Sequence, residues 1–371
     1  MKLPRRNSLI LVVAVMAAFA STAVFWSCDN TFHVFDDIQT EVRQVGTDIF
    51  KNATVKALGD DGTNYYAAMA KIWYRPMAGG DWKVLPIAGD SDYYSYSLVS
   101  NPTGAVIYVA VEKSGALAVY NGTAAGTVWT AVPLGSLEGL NLDDLYFSNG
   151  TLFALAHSGT GSTVKYSLHY SNGTLAFAAT ALADLDSPLL GIGWNGTKYF
   201  SPTSVNVYTG KADANPWSES PPPGGKSFGG LAVDSAKDIH LSTLDGYLYT
   251  WDGSAWSAAK TIKAKQTLGM VAEVETTPGS GVYRLLVAHG NIGYYEFDGA
   301  TAIDGSDSGT AFGTPSSAYT TTVYGKSVLA VHSASTVDEI LIGLASQGSS
   351  TGYALYSNTY ASGKWSGWSA E

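Results

Sequence analysis

After about residue 52 the chain is a succession of short stretches in which apolar and polar residues alternate, broken at close intervals by glycine. Gly246–Ser257 (GYLYTWDGSAWS) shows the pattern in its plainest form. Tyr247, Tyr249 and Trp251 occupy alternate positions. A period of two places side chains on opposite faces of an extended backbone, so these residues predict a strand. Asp252-Gly253 then supplies the residue types that tolerate the positive φ angles of a two-residue hairpin. Trp256 opens the predicted return strand.

The same phrase recurs along the chain. Tyr74 leads to Trp82, Tyr120 to Trp129, Tyr170 to Phe177, Tyr208 to Trp217, Tyr249 to Trp256 and Tyr356 to Trp365, each across a polar, glycine-containing or lysine-bearing turn. The second aromatics of the first five pairs are spaced by roughly forty to fifty residues, a repeat length that belongs to stacked four-stranded sheets. The wider gap between Trp256 and Trp365 leaves room for one more copy. That copy begins at Gly293–Gly299, and its return strand is expected at Tyr319–Tyr324, behind an insert at Ala300–Ser316. A single four-stranded sheet cannot bury both of its faces, whereas a ring of them can. The predicted fold is therefore all-β, a β-propeller of seven four-stranded blades over residues 52–371, with six or eight as the alternatives. The last blade is expected to draw all four strands from the C-terminal segment, so that the ring closes without an N-terminal strand.

Composition agrees with one large β domain. Only 14% of residues are charged, against 41 glycines and 23 tyrosines in a chain of 371. The formal net charge is −10, and Lys2, Arg5 and Arg6 all sit in the leader, so the remainder is more acidic still. Such a balance disfavours nucleic acid and anionic membrane surfaces as partners. One cysteine excludes an intrachain disulfide.

The leader has its own logic. Lys2, Arg5 and Arg6 precede an uncharged run from Leu9 to Trp26, a basic segment before an apolar one, which is the pattern of an export signal. The single cysteine, Cys28, follows in Phe25-Trp26-Ser27-Cys28. This segment resembles a bacterial lipoprotein signal with a relaxed, spirochaete-like box. Phe25 and Trp26 stand where that pattern usually has Leu and a small residue, while Ser27 fits. The resemblance covers residues 1–28 only. It implies a signal peptide at 1–27, acylation of Cys28 with palmitate-like chains, and a membrane anchor for an exported protein that faces the periplasm or the cell surface. Cleavage after Ala20 or Ala23, or an uncleaved N-terminal helix, are the competing readings. Residues 28–51 lack the repeat and are assigned as a tether or cap.

Candidate chemistry is sparse. Gly224-Gly225-Lys226-Ser227 ends like a phosphate loop, but Pro221 stands where the motif needs glycine and no helical pattern follows, so a rigid inter-blade loop is expected. Asp245-Gly246 fails the spacing of the Asp box found in sialidase-like propellers and reads as a hairpin turn. The histidines, at 33, 157, 169, 240, 289 and 332, show no metal-ligand spacing. His240 and His289 fall in second strands of neighbouring blades and could approach one another; satisfied or surface histidines are the simpler reading. The carboxylate pairs Asp143/Asp144, Asp184/Asp186, Glu273/Glu275 and Asp338/Glu339 have the residue types for acid–base work, without any placement in a pocket. Asp304 and Asp307 bring oxygen ligands close together, as calcium would need, though without the full loop pattern; a plain acidic loop is the simpler reading. Four of the five Asn-x-Thr triplets, at Asn121, Asn149, Asn172 and Asn195, are Asn-Gly-Thr and read as hairpin turns. The repeated tryptophans suit core packing, and Trp368, outside the repeated position, is the one candidate for a sugar-stacking surface.

No cofactor is expected. The functional reading is a lipid-anchored envelope propeller that binds an envelope protein or glycan without catalysis, with Asp304, Asp307 and Phe312 in the blade-six insert as the contact loop. The alternatives are a glycan hydrolase or lyase with its site in the central channel, and a lectin-like propeller with one sugar site per blade.

Overall fold

Seven antiparallel sheets, each built from consecutive strands, make up the described part of the chain. The computed structural model describes residues 48–371 except 52, 102–104, 125, 127, 214–216, 221–222, 266, 290–292, 300, 305–311, 313–327, 334–337 and 346–352. Cys28 and the leader lie outside the described residues. Among the described residues no helix is long and apolar enough to cross a membrane.

The seven sheets are the blades of a β-propeller. Blade one comprises Ala57–Asp60, Asn64–Ala68, Ile72–Pro76 and Lys83–Val84. Blade two comprises Tyr94–Asn101, Val106–Lys113, Ala116–Gly122 and Thr130–Val132. Blade three follows with Asn141–Ser148, Thr151–Ser158, Lys165–Ser171 and Ala178–Ala179, and blade four with Gly193–Trp194, Tyr199–Pro202, Val207–Gly210 and Ser218–Ser220. Blade five uses Phe228–Val233, Ile239–Thr243, Tyr247–Trp251 and Lys260–Thr261. Blade six uses Leu268–Glu275, Tyr283–His289, Tyr294–Phe297 and Ala302–Asp304. Blade seven uses Val328–Ser333, Glu339–Leu344 and Leu355–Ala361, whose outer edge pairs with Lys364–Trp365 and with Ser369–Ala370.

First strands pack beside first strands of the next blade, as between blades one and two, two and three, five and six, six and seven, and seven and one. This stacking covers both faces of each sheet, so second strands are buried continuously through their middles rather than alternately. Asn64–Ala68 and Ile239–Thr243 are buried at every position. The core is correspondingly divided into clusters between blades. Tyr66, Ile72, Ile107 and Val109 fill the space between blades one and two. Phe153, Leu168, Tyr199 and Trp217 do so between three and four, and Leu286, Tyr294, Ile342 and Tyr356 between six and seven. The aromatics of the repeat lie in these layers: Trp82, Phe177, Trp217 and Trp365 are buried.

The ring closes between blades seven and one with help from the residues before blade one. Val55 N donates to Leu344 O at 3.1 Å, and Ala354 N donates to Phe50 O at 2.8 Å. Blade seven still takes its strands from the C-terminal segment, as the repeat predicted.

Blade six departs from expectation. Its outer strand is Ala302–Asp304, paired to Tyr295–Phe297 directly after the turn at Asp298-Gly299. The chain therefore completes the blade inside the segment read as an insert, and Tyr319–Tyr324 lies outside the described residues. The reason is local: a tight Asp-Gly turn returns the chain at once, and three residues suffice for an outer strand.

Candidate functional site

Successive antiparallel strands put the first-to-second and third-to-fourth turns of every blade on one face of the ring. All four Asn-Gly pairs lie there, three of them as turns; Asn121-Gly122, expected as a hairpin turn, is instead part of the strand Ala116–Gly122, where Asn121 pairs with Tyr108 and Thr130 and Gly122 with Ile107. Asn149-Gly150 joins the first two strands of blade three and Asn195-Gly196 those of blade four; Asn172-Gly173 follows the third strand of blade three, and Asn121-Gly122 ends the third strand of blade two. Three of the four converge on one groove of about 630 Å³ between blades three and four.

The groove has an aromatic and apolar floor and a polar rim. Tyr170, Trp194, Tyr199 and Leu175 supply the apolar part; Asn149, Thr151, Asn172 and Thr197 supply the rim, and Lys211 and Asp213 are its charged residues. Leu175 is 65% exposed and lines the groove beside the half-buried Trp194. Its place is fixed by Asn172, whose Oδ1 accepts hydrogen bonds from Thr174 N at 3.1 Å and Leu175 N at 2.9 Å. Asn195 Oδ1 holds the opposite turn in the same way, accepting from Thr197 N at 3.1 Å and Lys198 N at 3.0 Å. Trp194, half-buried, packs on Tyr199 with ring centroids 4.7 Å apart. Tyr199 OH in turn donates to Thr151 Oγ1 of blade three at 3.1 Å, tying the two walls together. The result is a preformed neutral groove, suited to a ligand that is itself largely uncharged.

A second cleft, of about 340 Å³, lies between blades five and six on the same face and is acidic. Asp234, Asp238, Asp252 and Glu273 line it around His240. His240 Nε2 lies 2.9 Å from Asp234 Oδ2 and its Nδ1 lies 3.0 Å from Thr250 Oγ1. Burial, and then the neighbouring Asp234, push the carboxyls of Asp238 and Glu273 above their usual range. Glu273 also accepts from Ser235 N at 2.8 Å and Ser235 Oγ at 3.1 Å, so it ties the blade-five turn to blade six.

The other sequence candidates resolve as follows. Phe312, expected on a contact loop, is fully buried: it packs on Trp365 with centroids 5.4 Å apart, and its carbonyl accepts from Asn358 Nδ2 at 2.6 Å. Its side chain is a core group, because an aromatic of that size gains more from the layer between blades six and seven than from water. Asp304 ends a strand, and Asp307 lies outside the described residues. Trp368 is likewise buried, with Nε1 donating to Tyr294 OH at 2.9 Å, and is no sugar platform. His240 and His289 engage different partners; the His289 ring packs on Tyr295 at 4.9 Å. Asp143 pairs with His157 at 2.8 Å and Glu339 with Arg75 at 2.8 Å. Gly224 and Gly225, with φ of 66° and 63°, lie in a left-handed bend of the loop between blades four and five, and Lys226 pairs with Asp245 at 2.6 Å. Among the described residues no three His, Cys, Asp or Glu side chains are grouped to hold a metal ion.

No family model and no curated protein matches the sequence. Solved structures do match in shape. A structure of YCF48 bound to D1 peptide superposes with a TM-score of 0.59 at 11% identity, covering 84% of this chain and 93% of that one. YCF48 from Cyanidioschyzon merolae gives 0.57 at 10% identity, covering 85% and 98%. PorZ, a bacterial surface component of the type-IX secretion system of Porphyromonas gingivalis, gives 0.55 at 15% identity; the match covers 86% of this chain and 38% of PorZ. At these identities the likeness establishes the propeller fold.

The groove was not legible in the sequence. Each of its turns is written in contiguous residues, but their convergence depends on the adjacency of two blades.

Proposed function

We propose that this protein is an exported, lipid-anchored propeller of a bacterial cell envelope, and that it binds a protein partner without catalysis by holding an extended segment in the groove between blades three and four. The observation that carries the binding mode is the groove itself, in which exposed Leu175 and half-buried Trp194 stand within a rim of Asn and Thr side chains. Apolar anchors inside a polar rim are the arrangement that peptide recognition uses. A propeller of similar shape, YCF48, has been solved with a peptide bound. The anchor rests on Cys28 behind the leader.

The test is capture from detergent-solubilised envelope with the full chain as bait, beside a Leu175→Asp/Trp194→Ala variant. The expected result is a stoichiometric protein partner retained by the parent and lost by the variant at an unchanged melting temperature. Equal retention by the variant would remove the groove from the proposal. Glycan binding that the variant loses, with no protein captured, would put the lectin-like reading in its place. A Cys28→Ala chain should appear in the soluble fraction; membrane retention of that chain would overturn the lipid anchor.

A further inference from the structure

The four Asn-Gly pairs differ in chemical exposure. An asparagine followed by glycine is open to attack on its own side chain, because the next residue carries no Cβ to hinder the approach of its backbone nitrogen. Three of the four are restrained. Asn121 Nδ2 donates to Gly173 O at 3.0 Å, and Gly122 is paired with Ile107 in the sheet. Asn172 Oδ1 accepts three hydrogen bonds, from Thr174 N, Thr174 Oγ1 and Leu175 N, while Gly173 N donates to Ser171 Oγ at 3.0 Å. Asn195 Oδ1 likewise accepts three, from Thr197 N, Thr197 Oγ1 and Lys198 N.

Asn149 is different. It is exposed, and among the described residues neither its side chain nor the Gly150 amide has a hydrogen-bond partner. Asn149 and Gly150 have φ of 48° and 74°, the two central residues of a tight hairpin closed by the pairing of Ser148 with Thr151. Such a turn leaves its central amide outside the sheet ladder.

We propose that Asn149 is a site of spontaneous deamidation that converts a neutral rim residue of the groove into a carboxylate. Base removes the Gly150 amide proton, and the nitrogen attacks Asn149 Cγ. The bond from Cγ to the side-chain nitrogen breaks and ammonia leaves, closing a five-membered imide. Water then opens the imide at either carbonyl, giving aspartate or isoaspartate with no change of oxidation state. The attack needs the turn to open locally, which an exposed two-residue hairpin end permits. The isoaspartate product lengthens the main chain by one methylene and breaks the pairing of the Asn149 turn. Both products place a negative charge on the blade-three side of a groove whose charged lining residues, Lys211 and Asp213, follow the third strand of blade four.

The test is to hold the purified full chain at mildly alkaline pH and moderate warmth, and to follow each Asn-Gly site by peptide mapping with isoaspartate detection. Asn149 should convert several-fold faster than Asn121, Asn172 and Asn195, and an Asn149→Gln chain should lose the early acidic species on ion exchange. Equal rates at all four sites, or faster conversion at any of the other three, would overturn the proposal. In a chain unfolded by urea the four rates should converge; persistence of the difference would show that local sequence, not the folded turn, sets it, and would overturn the structural argument. The effect on ligand capture rests on the groove proposed above. An Asn149→Asp chain that captures the same partner equally well would count against that groove and leave the mass result standing.

Discussion

Arg75 Nη2 lies 2.8 Å from Glu339 Oε1, joining the third strand of blade one to the second strand of blade seven across 264 residues of sequence. The other guanidinium arm meets Glu371 Oε2 at 3.1 Å, and Trp82 Nε1 donates to that same oxygen at 2.9 Å. The guanidinium also faces the Tyr65 and Trp82 rings at 5.5 and 5.3 Å. His332 Nε2, 2.6 Å from Asp60 Oδ2, adds a second polar link across the same seam. A ring built from a linear chain must be fastened where its ends meet, and here the fastening includes these ion pairs.

The side chains of Arg75 and Glu339 are 13% and 12% exposed, so removing the cation leaves two poorly solvated carboxylates. Arg75→Ala should cost about 3 kcal/mol, the scale for breaking an enclosed pair. Adding Glu339→Gln should recover part of that loss. Urea denaturation of the single and double variants measures both, and additive losses would contradict the coupling.

His169 should make the fold acid-sensitive. Its Nδ1 lies 2.7 Å from Ser136 Oγ and its Nε2 2.9 Å from Ser167 Oγ, and burial lowers its pKa to about 4. The unfolded chain binds this proton first, near the ordinary histidine value. The stability from a neutral His169 is therefore complete above about pH 6.5 and lost as pH falls toward 4, to the extent of roughly 3 kcal/mol. Melting temperatures across that window should fall less steeply for His169→Gln than for the parent; identical slopes would assign the acid sensitivity to other groups.

Asp144 has the opposite sign. Its Oδ1 accepts from Leu145 N at 2.8 Å and from Ser97 Oγ, and burial, with Asp143 adding to it, pushes its carboxyl up. A raised native pKa means that ionisation costs stability: the acid form contributes at low pH, and the contribution fades as pH rises. Asp144→Asn keeps an oxygen for both donors and removes the charge. It should raise the melting temperature at neutral pH and lose that advantage in acid, which paired thermal melts will show.

Glycine at the end of a third strand makes room for the tryptophan of the fourth. A Cβ on Gly122 would sit 2.8 Å from the Trp129 ring, and one on Gly210 would sit 2.7 Å from the Trp217 ring. Gly122→Ala and Gly210→Ala should each cost about 1–3 kcal/mol by overpacking. Chemical denaturation tests this, and a neutral result at both positions would show that the indole can move aside.

The blade count and most strands and turns were legible in the sequence by itself, because each depends on contiguous residues; Asn121-Gly122, read as a turn, lies in a strand, and the return strand of blade five is Lys260–Thr261 rather than one opening at Trp256. The alternation at Tyr247, Tyr249 and Trp251 writes a strand, and Asn149-Gly150 writes a turn. Their recurrence writes a seven-bladed ring. The tertiary structure decided what those local pieces become to one another. It buried Phe312 and Trp368, which alone read as contact or stacking residues. It turned blade six back at Ala302–Asp304 and brought three separate Asn-Gly turns to one groove. It also set Arg75 against Glu339. Local backbone preference fixes an element within a few residues, whereas burial and pairing depend on which distant surface the closed ring places opposite, and no short stretch of sequence carries that adjacency.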